Sequence, residues 1–131
     1  MGVMEFSKKG DQGETSLLTG ERVSKASLRP ETYGTLDEAS SALGLAKALT
    51  QDRTIREMIT TVQQDLLILG AELASESEQP SHRITADQIS RLEDWIVRLQ
   101  ERVPLGREFV LPGENAVSAA IDLARTIVRR A

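Results

Sequence analysis

From Pro30 onward the apolar residues return at intervals of three and four, the period of helices that bury one face. Tyr33, Leu36, Ala39, Leu43, Ala46 and Thr50 make the first such series, and Pro30 stands where a first helical turn tolerates proline. The second runs through Ile55, Met58, Ile59, Val62, Leu66, Leu69 and Leu73; Thr54 with Glu57 predicts a capping box at its start, and it should end near Ser75. Glu76 to Arg83, with Pro80, breaks the period and predicts a loop. Thr85 with Gln88 predicts another capping box ahead of Ile89, Leu92, Ile96, Leu99 and Val103, and Pro104 stops that helix. Phe109 to Pro112 predicts a short extended link, because the residue before a proline avoids the helical region, and Gly113 frees the entry to a fourth helix. On that helix Val117, Ala120, Ile121, Ala124, Val128 and Ala131 share one face. Four long helices on short connections predict an all-α, up-and-down bundle over residues 30–131. Residues 1–29 show no period, and Gly10, Gly13 and Gly20 predict an irregular, glycine-rich arm.

Composition sharpens this picture at a few points. With 131 residues and no compositional break, the chain reads as a single domain, 1–131. Aromatics are 3% of residues, which suits helices packed through Leu, Ile, Val and Ala better than a sheet. A net charge of -4, with no basic run interleaved with aromatics, argues against a nucleic-acid partner. Without cysteine there are no disulfides or thiolate metal sites. No apolar run approaches membrane-spanning length, and Met1-Gly-Val-Met-Glu-Phe6 lacks a signal-peptide core, so a cytoplasmic location and no membrane partner are expected.

Candidate chemistry sits in two places. On the fourth helix Ser118, Asp122, Arg125 and Arg129 line one polar face. Guanidinium groups one turn apart, roughly 5–6 Å, can reach neighbouring phosphate oxygens together. Taken alone, the spacing better suits a solvated face on which Asp122 pairs with Arg125 while Arg129 and Arg130 favour the negative helix end. The arm carries Ser7-Lys-Lys-Gly-Asp-Gln-Gly-Glu-Thr15 and Ser24-Lys25: its glycines allow close backbone approach to an anion, with Lys8, Lys9 and Lys25 as countercharge. The phosphate-loop spacing is absent, and a glycine-rich basic arm is also what a plain chain terminus looks like. His82, the only histidine, stands in a polar loop without companions, and Glu72 with Glu76 lacks the Glu-x-x-His spacing of a di-metal bundle; no metal site is expected.

Taken in order, Gly10-Asp-x-Gly-x-Thr15, Ser24-Lys25, Arg29, Tyr33-Gly-Thr-Leu-Asp-Glu38, Ser41-Ala-Leu-Gly44, Gln64-Asp-Leu66, Leu69-Gly-Ala-Glu-Leu73, Leu92-Glu93, Phe109-Val-Leu-Pro-Gly113, Leu123-Ala-Arg-Thr126 and Arg129-Arg-Ala131 follow a family pattern. On these blocks the chain resembles the cobalamin adenosyltransferases of the type that also serves propanediol utilisation. The resemblance covers the whole chain, which stops where the family continues into a fifth helix that contacts ATP.

The resemblance implies a homotrimer with active sites between subunits, which moves the 5′-deoxyadenosyl group of ATP to cob(I)alamin and releases triphosphate. The corrinoid is itself the nucleophile, so such a protein needs no Ser, Cys or Lys nucleophile; it must position, desolvate and neutralise charge. By position, Ser7, Lys8, Lys9, Gly10, Asp11, Gly13, Thr15 and Lys25 would wrap the triphosphate with Mg²⁺, and Arg129 would bind its oxygens. Arg125 would pair with Asp37 of the neighbouring subunit, and Phe109 would press on the lower corrin face and exclude the axial ligand. An enzyme that uses adenosylcobalamin would accept the product. Ala39-Ser40 replace a leucine-asparagine of the family pattern, Asp122 a common histidine, and Glu114 a second glycine after Leu-Pro-Gly. Glu114 and the shortened end leave an alternative from another class, a non-catalytic paralogue of the same fold that binds corrinoid or ATP or serves in assembly.

Overall fold

The computed structural model describes residues 7–75 and 82–131. Most of the loop expected at Glu76 to Arg83, and the first six residues, lie outside them. Four helices follow a small antiparallel hairpin: β1 (Glu14–Ser16), β2 (Arg22–Ser24), α1 (Leu28–Leu49), α2 (Arg53–Leu73), α3 (Ala86–Arg102) and α4 (Ala116–Arg130).

Each helix starts where a side chain or proline relieves unpaired backbone N–H groups. Pro30 is buried in the first turn of α1, where its missing N–H costs no helical hydrogen bond. α2 departs from expectation. Its cap is Asp52, whose carboxylate accepts from the Ile55 N–H at 3.0 Å, so Thr54 falls inside the helix and Glu57 pairs instead with Arg53 at 2.7 Å. That pairing raises the pKa of Arg53, through the hydrogen bond first and the charge second. Asp52 prevails because Thr50 holds the turn before it, its hydroxyl accepting from the Asp52 N–H at 3.2 Å. The start of α3 agrees with the sequence: the Gln88 side chain accepts from the Thr85 N–H at 2.9 Å. α4 begins at Asn115, whose Oδ1 accepts from the Ser118 N–H at 2.9 Å, while Gly113 just upstream takes the φ of +108° that only glycine adopts freely.

α1 is the central element. It packs α2 on one side and α4 on the other, both antiparallel to it, and Ala46, Ile59 and Ala120 meet in the core with Leu43, Ile55 and Ile121. The α1–α4 contact runs over small side chains: Ala39, Ala46, Ala120 and Ala124 are all buried. Alanine lets two helix axes approach closely but supplies little interlocking relief.

α3 stands at the edge of the bundle. Its half-buried face holds Arg91 and Trp95, with Arg91 in an ion pair to Asp65 of α2 and its guanidinium 5.7 Å from the Trp95 ring centre. The apolar series Ile89, Leu92, Ile96, Leu99 and Val103 is exposed instead of buried. At the top of α3, Glu72 accepts from the Ile84 N–H at 2.9 Å and pairs with Arg83 at 3.6 Å, a structural use of that carboxylate.

Candidate functional site

The arm is more ordered than its composition suggests. Ser16 faces Arg22, Thr15 faces Val23 and Glu14 faces Ser24, so residues expected to be irregular form a hairpin. Gly20 turns its tip at φ +91°, a sign the glycine count carried but the short strands hid. Leu17 at the tip is 3% exposed, and the Leu18 N–H donates to the carbonyl of Ala74, the residue that ends α2, at 2.9 Å. The arm is thus fastened to the end of the bundle where α2 finishes and α1 begins. Arg29 reinforces that end by donating to the carbonyls of Leu73 and Ser75 at 3.2 and 3.1 Å.

Ahead of the hairpin the basic segment folds into tight turns. The Asp11 N–H donates to Lys8 O at 3.1 Å, the Gly13 N–H to Gly10 O at 3.3 Å, and the Lys9 N–H to Ser7 Oγ at 3.3 Å. Gly13 holds φ +82°, and its carbonyl accepts from the Lys25 N–H at 2.8 Å. The Lys25 ammonium lies directly over Gly10, where an added Cβ would come within 2.9 Å of Nζ. Arg22, which the sequence pattern did not single out, organises this turn: it donates to Lys9 O at 3.1 Å and Ser16 Oγ at 3.2 Å and pairs with Glu14. The signal was its place opposite Ser16 across a glycine turn.

Between α1 and α2 runs a mostly apolar groove of about 440 Å³, with Tyr33, Gly34 and Asp37 on one wall, Leu66 and Gly70 on the other, and Leu18 of the arm at its end. The two glycines leave space that a Cβ would enter unopposed. Asp37 is exposed and, among the described residues, has no ion-pair partner. On the opposite side of α1, the C-terminal half of α4 presents its arginines. Arg125 Nε donates to Asp122 at 2.9 Å, Arg130 pairs with Glu38 at 2.6 Å, and Arg129 is exposed with no partner among the described residues.

The arm meets the bundle where α1 begins, whereas Asp37 and, beside the Arg130–Glu38 pair, Arg129 lie roughly 15 Å further along α1 on two different sides of it. Phe109 does not join them. It is fully exposed in the segment that enters α4 at its other end, and α4 rises about 22 Å over its 15 residues. Nor does Arg125 reach Asp37 within one chain, where it keeps the Asp122 partner that helical spacing favours. Thr15 is half-buried in β1, and Lys8, Lys9 and Asp11 are exposed.

A second concavity, of about 520 Å³, lies at the far end near Lys47, Arg53 and Arg56. Its cations are committed: Arg56 donates to the carbonyls of Lys47 and Thr50, and Lys47 to Gln63. Among the described residues no group of three His, Cys, Asp or Glu could hold a metal, and no helix is long and apolar enough to cross a membrane. His82 is exposed, in the turn ahead of α3.

The sequence pattern of the family described as cobalamin adenosyltransferase matches residues 6–131. The chain belongs to the cobalamin adenosyltransferase family. Within that family it is 44% identical over 129 residues to the corrinoid adenosyltransferase PduO of Salmonella typhimurium, covering 96% of this chain and 38% of the relative. It is 40% identical to a corrinoid adenosyltransferase of Citrobacter freundii, over 95% of this chain and 73% of that protein. The chain thus spans about two fifths of the PduO proteins it matches and about three quarters of a shorter relative. Among solved structures, a phenylalanine-to-alanine variant of a PduO-type ATP:corrinoid adenosyltransferase from Lactobacillus reuteri, complexed with cobalamin and ATP, superposes with a TM-score of 0.87 at 30% identity, covering 95% of this chain and 72% of that one. An arginine-to-lysine variant of the same enzyme, complexed with ATP, gives 0.86, covering 96% and 73%. The helical architecture read from the sequence is the family architecture.

Proposed function

We propose that the chain acts as an ATP:cob(I)alamin adenosyltransferase. One observation carries the reading: the lysine-lined turn is folded and runs into a hairpin whose tip is hydrogen-bonded to the end of α2, while Arg129 stands exposed in the last turn of α4, in a chain whose relatives bind ATP and cobalamin. In the reaction the cobalt(I) electron pair attacks C5′ of ATP, the cobalt–carbon bond forms, and the C5′–O bond breaks with its electrons leaving on triphosphate. Cobalt ends formally as cobalt(III), and no protein nucleophile is consumed.

The residues then divide the work. Amides and side chains from Ser7 to Thr15, with Lys25, face the triphosphate. Gly10 lets the Lys25 ammonium lie against the backbone, and Gly13 supplies the turn that closes the cradle. Arg129 neutralises charge on the leaving chain, which grows as the bond breaks. Mg²⁺ would arrive with ATP, held by phosphate oxygens, as an ion that takes few protein ligands and keeps its waters. Asp11 and Glu14 are the nearby carboxylates along the chain.

Assembly as a homotrimer supplies what one chain lacks. Asp37 has no ion-pair partner among the described residues and stands beside an apolar groove, and Arg125 lies exposed on α4, so a neighbouring copy that lays its α4 against the groove would exchange Asp122 for Asp37 at Arg125. The same association would bring Phe109 of one chain toward the arm of another, against the lower face of the corrin. A cytoplasmic setting and an acceptor enzyme that uses adenosylcobalamin complete the proposal.

The test is spectroscopic: cob(I)alamin under anaerobic reduction, with MgATP and the protein, should convert to adenosylcobalamin in proportion to enzyme. A second reading, a non-catalytic corrinoid- or ATP-binding or assembly protein, draws on Glu114, an exposed carboxylate in the Phe109 loop. Tight binding of both substrates without conversion would decide for it.

A further inference from the structure

We propose that Glu38 is a positioning residue for the nucleotide: through its ion pair with Arg130 it orients the last turn of α4 and so sets where Arg129 meets the triphosphate. The inference rests on the phosphate role proposed above for Arg129.

The pair is the one ion pair between α1 and α4 among the described residues, with Arg130 Nη2 donating to Glu38 Oε2 at 2.6 Å. The contact it closes is otherwise smooth. Ala39 and Ala124 are fully buried there, and alanine faces leave a helix freer to slide or turn than interlocked large side chains do. A directional, charge-assisted bond at the end of such a contact fixes rotation that packing leaves loose. Successive helical residues point about 100° apart, so holding Arg130 against α1 turns Arg129 sideways off that contact and into the open, where it is exposed. Arg129 has no partner of its own among the described residues to hold it there.

The neighbouring carboxylate cannot substitute. Asp37 lines the groove on the α2 side of α1, whereas Glu38 faces α4. Adjacent acids thus serve different helices, and adjacent arginines likewise: Arg130 is spent on structure, and Arg129 is left for the ligand. Pairing also keeps Arg130 from competing for the same phosphate oxygens in a second geometry.

The experiment is a double-mutant cycle on the full chain, with steady-state adenosylation and direct MgATP binding as readouts. Glu38→Gln and Arg130→Gln should each raise KM for MgATP about 3–5-fold, the size an exposed but geometrically fixed pair can carry, with kcat within about two-fold. The double variant should be no worse than either single one, and the reversed pair Glu38→Arg with Arg130→Glu should recover most of the loss. Circular dichroism and melting should be unchanged throughout, since both side chains are more than half exposed. An unchanged or lower KM in Glu38→Gln, or additive losses in the double variant, overturns the proposal. Arg129→Ala separates the two layers. If it leaves KM unchanged, the phosphate role fails and the positioning role falls with it; if it raises KM while Glu38→Gln does not, only the positioning fails.

Discussion

At the scale of single residues, the two glycines of the arm's first turn do different things and should respond differently to the same substitution. Gly13 holds φ +82°, so alanine there carries the left-handed penalty of roughly 1–2 kcal/mol and should lower the melting temperature. Gly10 has no positive φ, and an added methyl would press on the far end of the Lys25 side chain while meeting the Glu14 carbonyl at an ordinary 3.4 Å. Gly10→Ala should therefore leave melting unchanged while displacing the ammonium, weakening MgATP binding by about 1.5–3 kcal/mol if that charge contacts phosphate. Isothermal titration beside thermal melts checks both. The arginines of α4 offer a parallel contrast. Arg129→Ala should weaken MgATP binding, whereas Arg125→Ala should leave ATP affinity near normal and lower turnover, as a bridge to Asp37 of a neighbour requires. If neither changes binding or rate, Arg125 and Arg129 simply line a solvated face.

Among the elements, helices were legible and their ends less so. The three-and-four spacing marked all four helices, since an amphipathic helix repeats its apolar residues whether the chain covers that stripe, as on α1, or leaves it exposed, as on α3, and Thr85 with Gln88 announced α3 correctly. Thr54 with Glu57 matched the same capping pattern and misled, because Asp52 two residues earlier was already braced by Thr50. Local patterns name every competent cap; which one wins depends on the turn before it. Asp52→Ala should consequently cost about 1 kcal/mol in a urea melt, and Thr54→Ala only a few tenths. The hairpin escaped notice because strands of three residues are too short to show alternation. The arm's lysines and glycines stood out in the sequence, whereas Arg22 did not and Glu38 appeared only inside a longer block, since the contacts of both depend on partners that only folding brings near.

For the molecule as a whole, the described residues leave apolar surface uncovered at the α1–α2 groove beside Asp37, along the α3 series and at Phe109, Val110 and Leu111. Contiguous apolar areas of several hundred Å² are uncommon on monomers, so stable self-association is expected, with a trimer as the form the proposed site needs. Sedimentation at micromolar concentration should show it, and a compact monomer would remove the basis for a shared site. MgATP should raise the melting temperature more than ATP with chelator does, because a ligand that binds only the folded state stabilises it by mass action.

The buried Leu17 and the Leu18–Ala74 hydrogen bond have one more consequence, which concerns entropy. Freezing a loose chain costs about 1–2 kcal/mol per residue, so a free arm of this length would forfeit most of the energy its lysines gain from an anion. With the hairpin tip riveted to α2, the strands and their turn are already ordered before ATP enters, and among the described residues of the arm the turn ahead of β1 has the most freedom left to lose. Leu17→Ala should transfer that ordering from folding to binding: calorimetry would record a more unfavourable binding entropy at nearly constant enthalpy, although residue 17 touches no substrate.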